Sequence, residues 1–141
     1  MNRQRTRHLI ICINSFNESS YAKKALNLCK QIHSELAYGG IKYTIVCTFG
    51  SDTDEEGLVM NRYQNQNQIY ILINRNLSDH NWCVGIEKCS HLLPTKSTCV
   101  VLHDTCLIKT GAFRKSMKQI SRLDIHKWAF THSLGLYNLG V

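Results

Sequence analysis

The sequence predicts an α/β fold, a three-layer sandwich with a mostly parallel central sheet and helices on both faces. Short apolar runs rich in β-branched residues recur at 8–13, 41–49, 68–73 and 98–102. Each is more uniformly apolar than alternating, the pattern of strands buried on both sides of a parallel sheet. Stretches with helical spacing lie between and after them, and strands alternating with helices define this class.

The first run, His8-Leu9-Ile10-Ile11-Cys12-Ile13, reads as a buried strand that stops at the polar stretch from Asn14 to Ser20. From Ser20 onward, Ala22, Ala25, Cys29, Ile32 and Leu36 recur at spacings of three and four. That is an amphipathic helix, with Ser19 or Ser20 as its cap and Gly39-Gly40 as its stop. A second strand covers 41–49 and ends at an acidic loop, Gly50 to Gly57. A short helix is expected from Leu58 to Tyr63, although the stretch Asn65-Gln66-Asn67 after it speaks against a helix. Gln68 to Ile73 forms a third strand, stopped by Asn74-Arg75-Asn76. From Asp79 the stripe Trp82, Ile86, Cys89 and Leu93 marks another helix, terminated by Pro94. The next strand, Thr98 to His103, runs straight into Asp104. Phe113, Met117 and Ile120 then outline a basic amphipathic helix, and Trp128–Thr131 and Leu134–Tyr137 read as last strands.

With 141 residues and 43% hydrophobic content, one core and a single domain spanning 1–141 are expected. No run of about 18 apolar residues is present, so no transmembrane helix is expected, and the N-terminus does not read as a signal peptide. Seven cysteines, several within apolar runs (Cys12, Cys47, Cys99), suit free thiols in a reducing, cytoplasmic setting. The net charge of +7 suits a polyanionic partner, whether nucleic acid, an anionic membrane surface or phosphorylated substrates. The basic residues between Lys109 and Lys127 equally describe a solvated helix face. The ending Tyr137-Asn138-Leu139-Gly140-Val141 has neither a covering helix nor a polar tail, and reads as a chain cut short.

Right-handed crossovers in a parallel sheet carry successive strand ends to one edge. The loops at Asn14–Glu18, Asp52–Glu55, Asn74–Asn76 and His103–Thr105 are therefore expected around one crevice, where open α/β sheets bind ligands. Asp104 has two readings here: a carboxylate that holds a divalent cation and through it a diphosphate, or a cap for the following turn.

The stretch Ile10-Ile11-Cys12-Ile13-Asn14-Ser15-Phe16-Asn17-Glu18 resembles the opening strand and loop of the inverting, A-type (family-2-like) nucleotide-sugar glycosyltransferases, whose sheet is Rossmann-like. Their usual form is an apolar strand, a small residue or proline, an aromatic, then Asn-Glu. The resemblance implies that Asn14, Ser15, Phe16, Asn17 and Glu18 line the donor site, and that Asp52 and Asp54 contact the base or ribose. Val101-Leu102-His103-Asp104-Thr105 falls where that family carries its metal-binding Asp-x-Asp, with Asp104 on Mn²⁺ or Mg²⁺ and His103 beside it. Tyr137-Asn138-Leu139-Gly140 is similar to the asparagine-glycine stretch that follows. The second aspartate is absent, since Thr105 and Cys106 follow Asp104. What the resemblance implies is transfer of a sugar from a UDP- or GDP-linked donor to an acceptor hydroxyl, with the acceptor half and catalytic base beyond Val141.

Other chemistry fits less well. Cys83, Cys89 and His91, or His103 and Cys106, lack the paired short-loop spacing of structural zinc sites. Cys106 with His103 as base has no third orienting group. A phosphoacceptor domain would end its third strand in Asp, where this chain has Asn74. The main alternative is a basic α/β binding module for nucleic acid or another polyanion. Against nucleic acid, the chain carries no aromatic-plus-glycine signature of a single-strand reader, and Phe113, Met117 and Ile120 claim one helix face for the core. Contact with an anionic membrane surface is left to the same basic helix.

Overall fold

The computed structural model describes residues 6–51, 57–62, 68–74 and 81–122. In chain order the elements are β1 (His8–Phe16), α1 (Ser19–Tyr38), β2 (Tyr43–Gly50), β3 (Gly57–Arg62), β4 (Gln68–Asn74), α2 (Asn81–Cys89), β5 (Ser97–His103) and α3 (Ala112–Ser121). They form a sheet of order β3-β4-β2-β1-β5. β1 lies parallel to both β2 and β5, β2 is parallel to β4, and β3 runs antiparallel along the outer side of β4. The mostly parallel sheet expected from the apolar runs is present.

Helices cover both faces. Leu9, Ile11 and Ile13 of β1 and Ile45, Cys47 and Phe49 of β2 pack on one face against Leu28, Cys29, Ile32 and Leu36 of α1 and Met117 and Ile120 of α3. Ile10, Cys12, Val46, Tyr70 and Leu72 line the other, under Trp82, Ile86 and Cys89 of α2. Every residue of β2 is buried, which explains why its sequence shows no alternation. α2 approaches β2 so closely that a Cβ on Gly85 would lie 3.0 Å from Val46 Cγ1 and overlap the Thr48 hydroxyl. Only glycine permits that packing distance.

The stop of α1 is as the sequence implied. Gly40 adopts φ 67°, the Ile41 N–H donates to the Leu36 carbonyl at 3.0 Å, and the Gly40 N–H donates to Ala37 at 3.2 Å. This is the Schellman pattern, which needs a left-handed residue after the helix. Its start differs from expectation: Glu18, not a serine, is the N-cap, and it makes no side-chain cap.

Four further expectations are corrected. The segment expected as a short helix from Leu58 to Tyr63 contains the strand β3, because Gly57 to Arg62 pairs residue for residue with Ile73 to Gln68. A six-residue segment gains more from a full edge ladder than from one isolated helical turn. Asn14, Ser15 and Phe16, expected in a loop, continue β1 opposite Thr48, Phe49 and Gly50 of β2. The helix expected to carry Leu93 on its stripe and to run up to Pro94 ends at Cys89, and a 3-10 turn at Ser90–Leu92 takes its place before Pro94. Finally, β5 closes the sheet among the described residues and is buried only at alternate positions, with Cys99, Val101 and His103 exposed. Its apolar run reflects β propensity more than two-sided burial. Asp52, Asp54 and the strands expected at 128–131 and 134–137 lie outside the described residues.

Candidate functional site

The topology singles out one position. Taken in chain order, the parallel strands run third, second, first, fourth across the sheet (β4-β2-β1-β5). The chain leaves β1 toward β2 on one side, and crosses back over to β5 on the other. The carboxyl ends of β1 and β5 therefore flank the point where the winding reverses, the place where open α/β sheets form a crevice.

The residues found there are those the sequence singled out. Asn14 pairs with His103 across the two strands. One step further, the Asp104 N–H donates to the Asn14 carbonyl at 3.1 Å, so the chain stays docked as it leaves β5. The Asp104 side chain turns inward, 8% exposed, and its Oδ2 accepts a hydrogen bond from Ser15 Oγ at 2.8 Å. Ser15 Oγ also lies 3.3 Å from the Tyr21 carbonyl in the first turn of α1. Strand β1, the turn after β5 and the start of α1 thus meet at one hydroxyl. The carboxylate's influence reaches the Cys47 thiol, which is pushed up by its hydrogen bond with Cys29, by burial and by the nearby charges of Cys29 and Asp104.

The remaining members sit around this junction. Phe16 is half-buried and meets Tyr21 edge to face at 5.5 Å between centroids. Asn17 and Glu18 are exposed, and the Asn17 N–H is anchored on the Gly50 carbonyl at 2.7 Å. His103 is exposed beside Asp104, and its carbonyl accepts from Cys106 N–H at 3.0 Å in the following turn. Asn14, Ser15 and Asp104 are therefore brought together, Phe16, Asn17 and Glu18 form the adjoining lip, and His103 faces solvent.

A cation at this place would find limited protein ligands. Asp104 supplies one carboxylate, of which one oxygen already engages Ser15. Among the described residues no three His, Cys, Asp or Glu side chains converge to hold a metal. This donor set does not build a protein cage, but it fits a cation whose other ligands are diphosphate oxygens and water, a common arrangement for Mg²⁺.

A second polar junction was not foreseen from the sequence. Glu35 of α1, 5% exposed, accepts from Arg114 Nη2 at 2.6 Å and from the Gly111 N–H at 2.5 Å. Arg114 Nε donates to the Glu35 carbonyl at 3.2 Å, and the guanidinium lies 4.1 Å from the Tyr38 ring centre. Gly111, at φ 80°, is the N-cap of α3 and has no side chain to cap with, so a carboxylate from α1 does so instead. The available signal was Glu35 itself, an acid three residues after Ile32 and seven after Leu28 on an otherwise apolar stripe. Arg114, which reads in the sequence as part of a basic surface, is committed to this internal contact.

These features define a class: a parallel α/β sheet with a buried carboxylate–hydroxyl pair at its switch point. Comparison with protein-family models, with curated proteins and with solved structures gives no match. No described helix is long and apolar enough to cross a membrane.

Proposed function

We propose that this chain is the donor-binding part of a glycosyltransferase, taking a nucleoside diphosphate sugar, UDP- or GDP-linked, at the crevice between β1 and β5. The observation that carries the reading is Asp104, buried at the switch point and oriented by Ser15. Holding a carboxylate in a fixed direction where a sheet binds its ligand is costly unless the charge is used. Asp104 would hold Mn²⁺ or Mg²⁺, and the cation supplies charge stabilisation to a departing diphosphate. Ser15 fixes the carboxylate's orientation by donating to Oδ2. Phe16, Asn17 and Glu18 offer an aromatic surface and polar groups for a base or ribose, joined on this reading by Asp52 and Asp54. The base that deprotonates an acceptor hydroxyl is assigned to none of these residues. Seven free thiols suit a reducing cytoplasmic setting for this activity.

Calorimetric titration with UDP and with GDP, in Mn²⁺ and then in chelator, tests the reading. Metal-dependent binding is expected, and Asp104→Asn should abolish it, since the amide keeps an oxygen for Ser15 but loses the charge. Folding of the variant is checked by circular dichroism. Equal nucleotide affinity of the folded variant in Mn²⁺ would overturn the assignment.

A further inference from the structure

The amino edge of the sheet, a strand length from the crevice, carries a small cleft between the ends of α1 and α3. Thr6, Gly40, Ile41, Lys118, Ser121 and Arg122 line it, and its volume is about 180 Å³. Pockets that take up whole small molecules run to roughly 300–1,000 Å³, so this one has room for a single group.

Its cations come from one stripe of α3. Arg114, Lys118 and Arg122 recur every fourth residue, and the stripe lies along the glycine turn that ends α1, where a Cβ on Gly39 would sit 2.9 Å from Arg114 Cγ. Arg114 is neutralised by Glu35 at 2.6 Å. Lys118 and Arg122 are exposed, and neither side chain has a partner among the described residues. Like charges at this helical spacing repel each other.

The ends of α1 and α3 could claim these cations, since Lys and Arg complement the dipole at a helix C-terminus and bond to its last carbonyls. Those carbonyls are already engaged. Leu36 and Ala37 accept from the Ile41 and Gly40 N–H at 3.0 and 3.2 Å, and Gln119 and Ser121 accept from the Arg122 and Arg7 N–H at 3.2 and 2.6 Å. The Lys118 carbonyl accepts from Ser121 Oγ at 2.8 Å. Only the dipoles remain to be balanced, and two full positive charges exceed the roughly half-charge of each helix end. Among the described residues, the cleft keeps a positive field and no anion to meet it.

We propose that this cleft is a phosphate-binding site, which takes the terminal phosphate of a soluble monoester between Lys118 and Arg122. The guanidinium fork of Arg122 matches two phosphate oxygens, and Lys118 adds a point charge. A monoester carries a charge of about −1.5 to −2 near pH 7, which offsets the repulsion between the two cations. Gly40 leaves the wall beside them open, because nothing lies within 4 Å of where its Cβ would be. The remainder of the ligand extends into solvent. This site is separate from the carboxylate crevice and does not rest on the donor reading.

The test titrates the isotope-labelled full chain with sodium phosphate near neutral pH, against sodium chloride at matched ionic strength, and follows the amide shifts. Saturable shifts are expected in phosphate alone, grouped at residues 39–41 and 121–122. Replacing both Lys118 and Arg122 by alanine should weaken binding at least about tenfold, since each removes a charge-assisted contact. Arg122→Lys, which keeps the charge and loses the fork, should weaken it less than Arg122→Ala. Replacing Lys23 and Lys30 by alanine removes the same charge from exposed positions of α1 outside the cleft and should leave binding unchanged. A parallel arm offers phosphatidylcholine vesicles containing phosphatidic acid. Equal shifts in chloride, shifts that do not saturate, equal weakening in the Lys23 and Lys30 variant, or capture by the vesicles with no binding of free phosphate would each overturn the proposal.

Discussion

Replacing Glu35 by alanine should destabilise the protein more than any other surface-to-core contact of α1. The carboxylate receives one bond from a guanidinium and one from a helix N-cap N–H, at 2.6 and 2.5 Å, while only 5% exposed. Hydrogen bonds involving a charged partner contribute about 1.5–3 kcal/mol each, and breaking a buried ion pair costs about 3–5 kcal/mol. The Arg114 side chain is 25% exposed and keeps the Glu35 carbonyl and the Tyr38 ring, so it regains some hydration and the lower end applies. A loss of about 3 kcal/mol follows, or a fall in Tm of roughly 10 °C for a chain of this size. Urea denaturation followed by circular dichroism measures it. A double-mutant cycle with Arg114→Ala should return a coupling of about 2 kcal/mol. A loss under about 1 kcal/mol for Glu35→Ala, or strictly additive effects of the two substitutions, would refute the view that this contact joins α1 to α3.

Three further perturbations follow from packing and protonation. Gly85→Ala gains about 1 kcal/mol of helix propensity, but its methyl meets Val46 and the Thr48 hydroxyl, and overpacking of about 1–3 kcal/mol should make it net destabilising in the same denaturation assay. Thr48→Val, by contrast, removes a fully buried hydroxyl that has no hydrogen-bond partner among the described residues, and should raise Tm slightly. Burial holds the His33 ring below its usual 6.5, and its Nδ1 faces the Tyr43 hydroxyl. The unfolded chain therefore binds the proton more readily, so this contribution is complete above pH 6.5 and is lost as pH falls from there through the folded value. His8, lowered by burial and by Lys42, acts in the same sense. Stability measured from pH 7.5 to 5 should decline, and His33→Gln should flatten part of that slope.

The fold was legible where the physics is local or uniform. Continuous apolar runs marked β1, β2 and β4 because strands buried on both faces have no polar side to display. Glycines marked the end of α1 because the Schellman geometry needs a left-handed residue. β3 was not legible, since its helix-compatible residues take their state from a ladder with β4 that no local pattern records. The same β propensity that identified β5 concealed that half of it is exposed. In the site, Asn14, Ser15 and Asp104 were readable as strand-end polar residues, and their convergence follows from the parallel order. The bond from Ser15 to Asp104 spans 89 positions and depends on the β1–β5 register, which hydrophobic pattern leaves open. Glu35 and Arg114 escaped for a similar reason: each looks solvated until α3 is laid beside α1.

The basic surface and the carboxylate crevice lie at opposite ends of the sheet, which separates the two functional readings experimentally. Asp104 follows the carboxyl end of β5, whereas Lys118 and Arg122 line a cleft with Thr6, Gly40 and Ile41, residues that precede β1 and β2. With Arg114 held by Glu35, these two cations are the part of the basic helix that faces a cavity at the amino edge. Exchanging both for alanine should weaken retention on a polyanion column and reduce its dependence on salt, because each neutralised phosphate contributes to that slope. It should leave metal-dependent nucleotide binding unchanged, since a crevice a strand length away is about two Debye lengths distant at physiological ionic strength. If the double variant instead weakens nucleotide binding as strongly as Asp104→Asn does, the ligand is held by general positive charge and not by the carboxylate at the switch point.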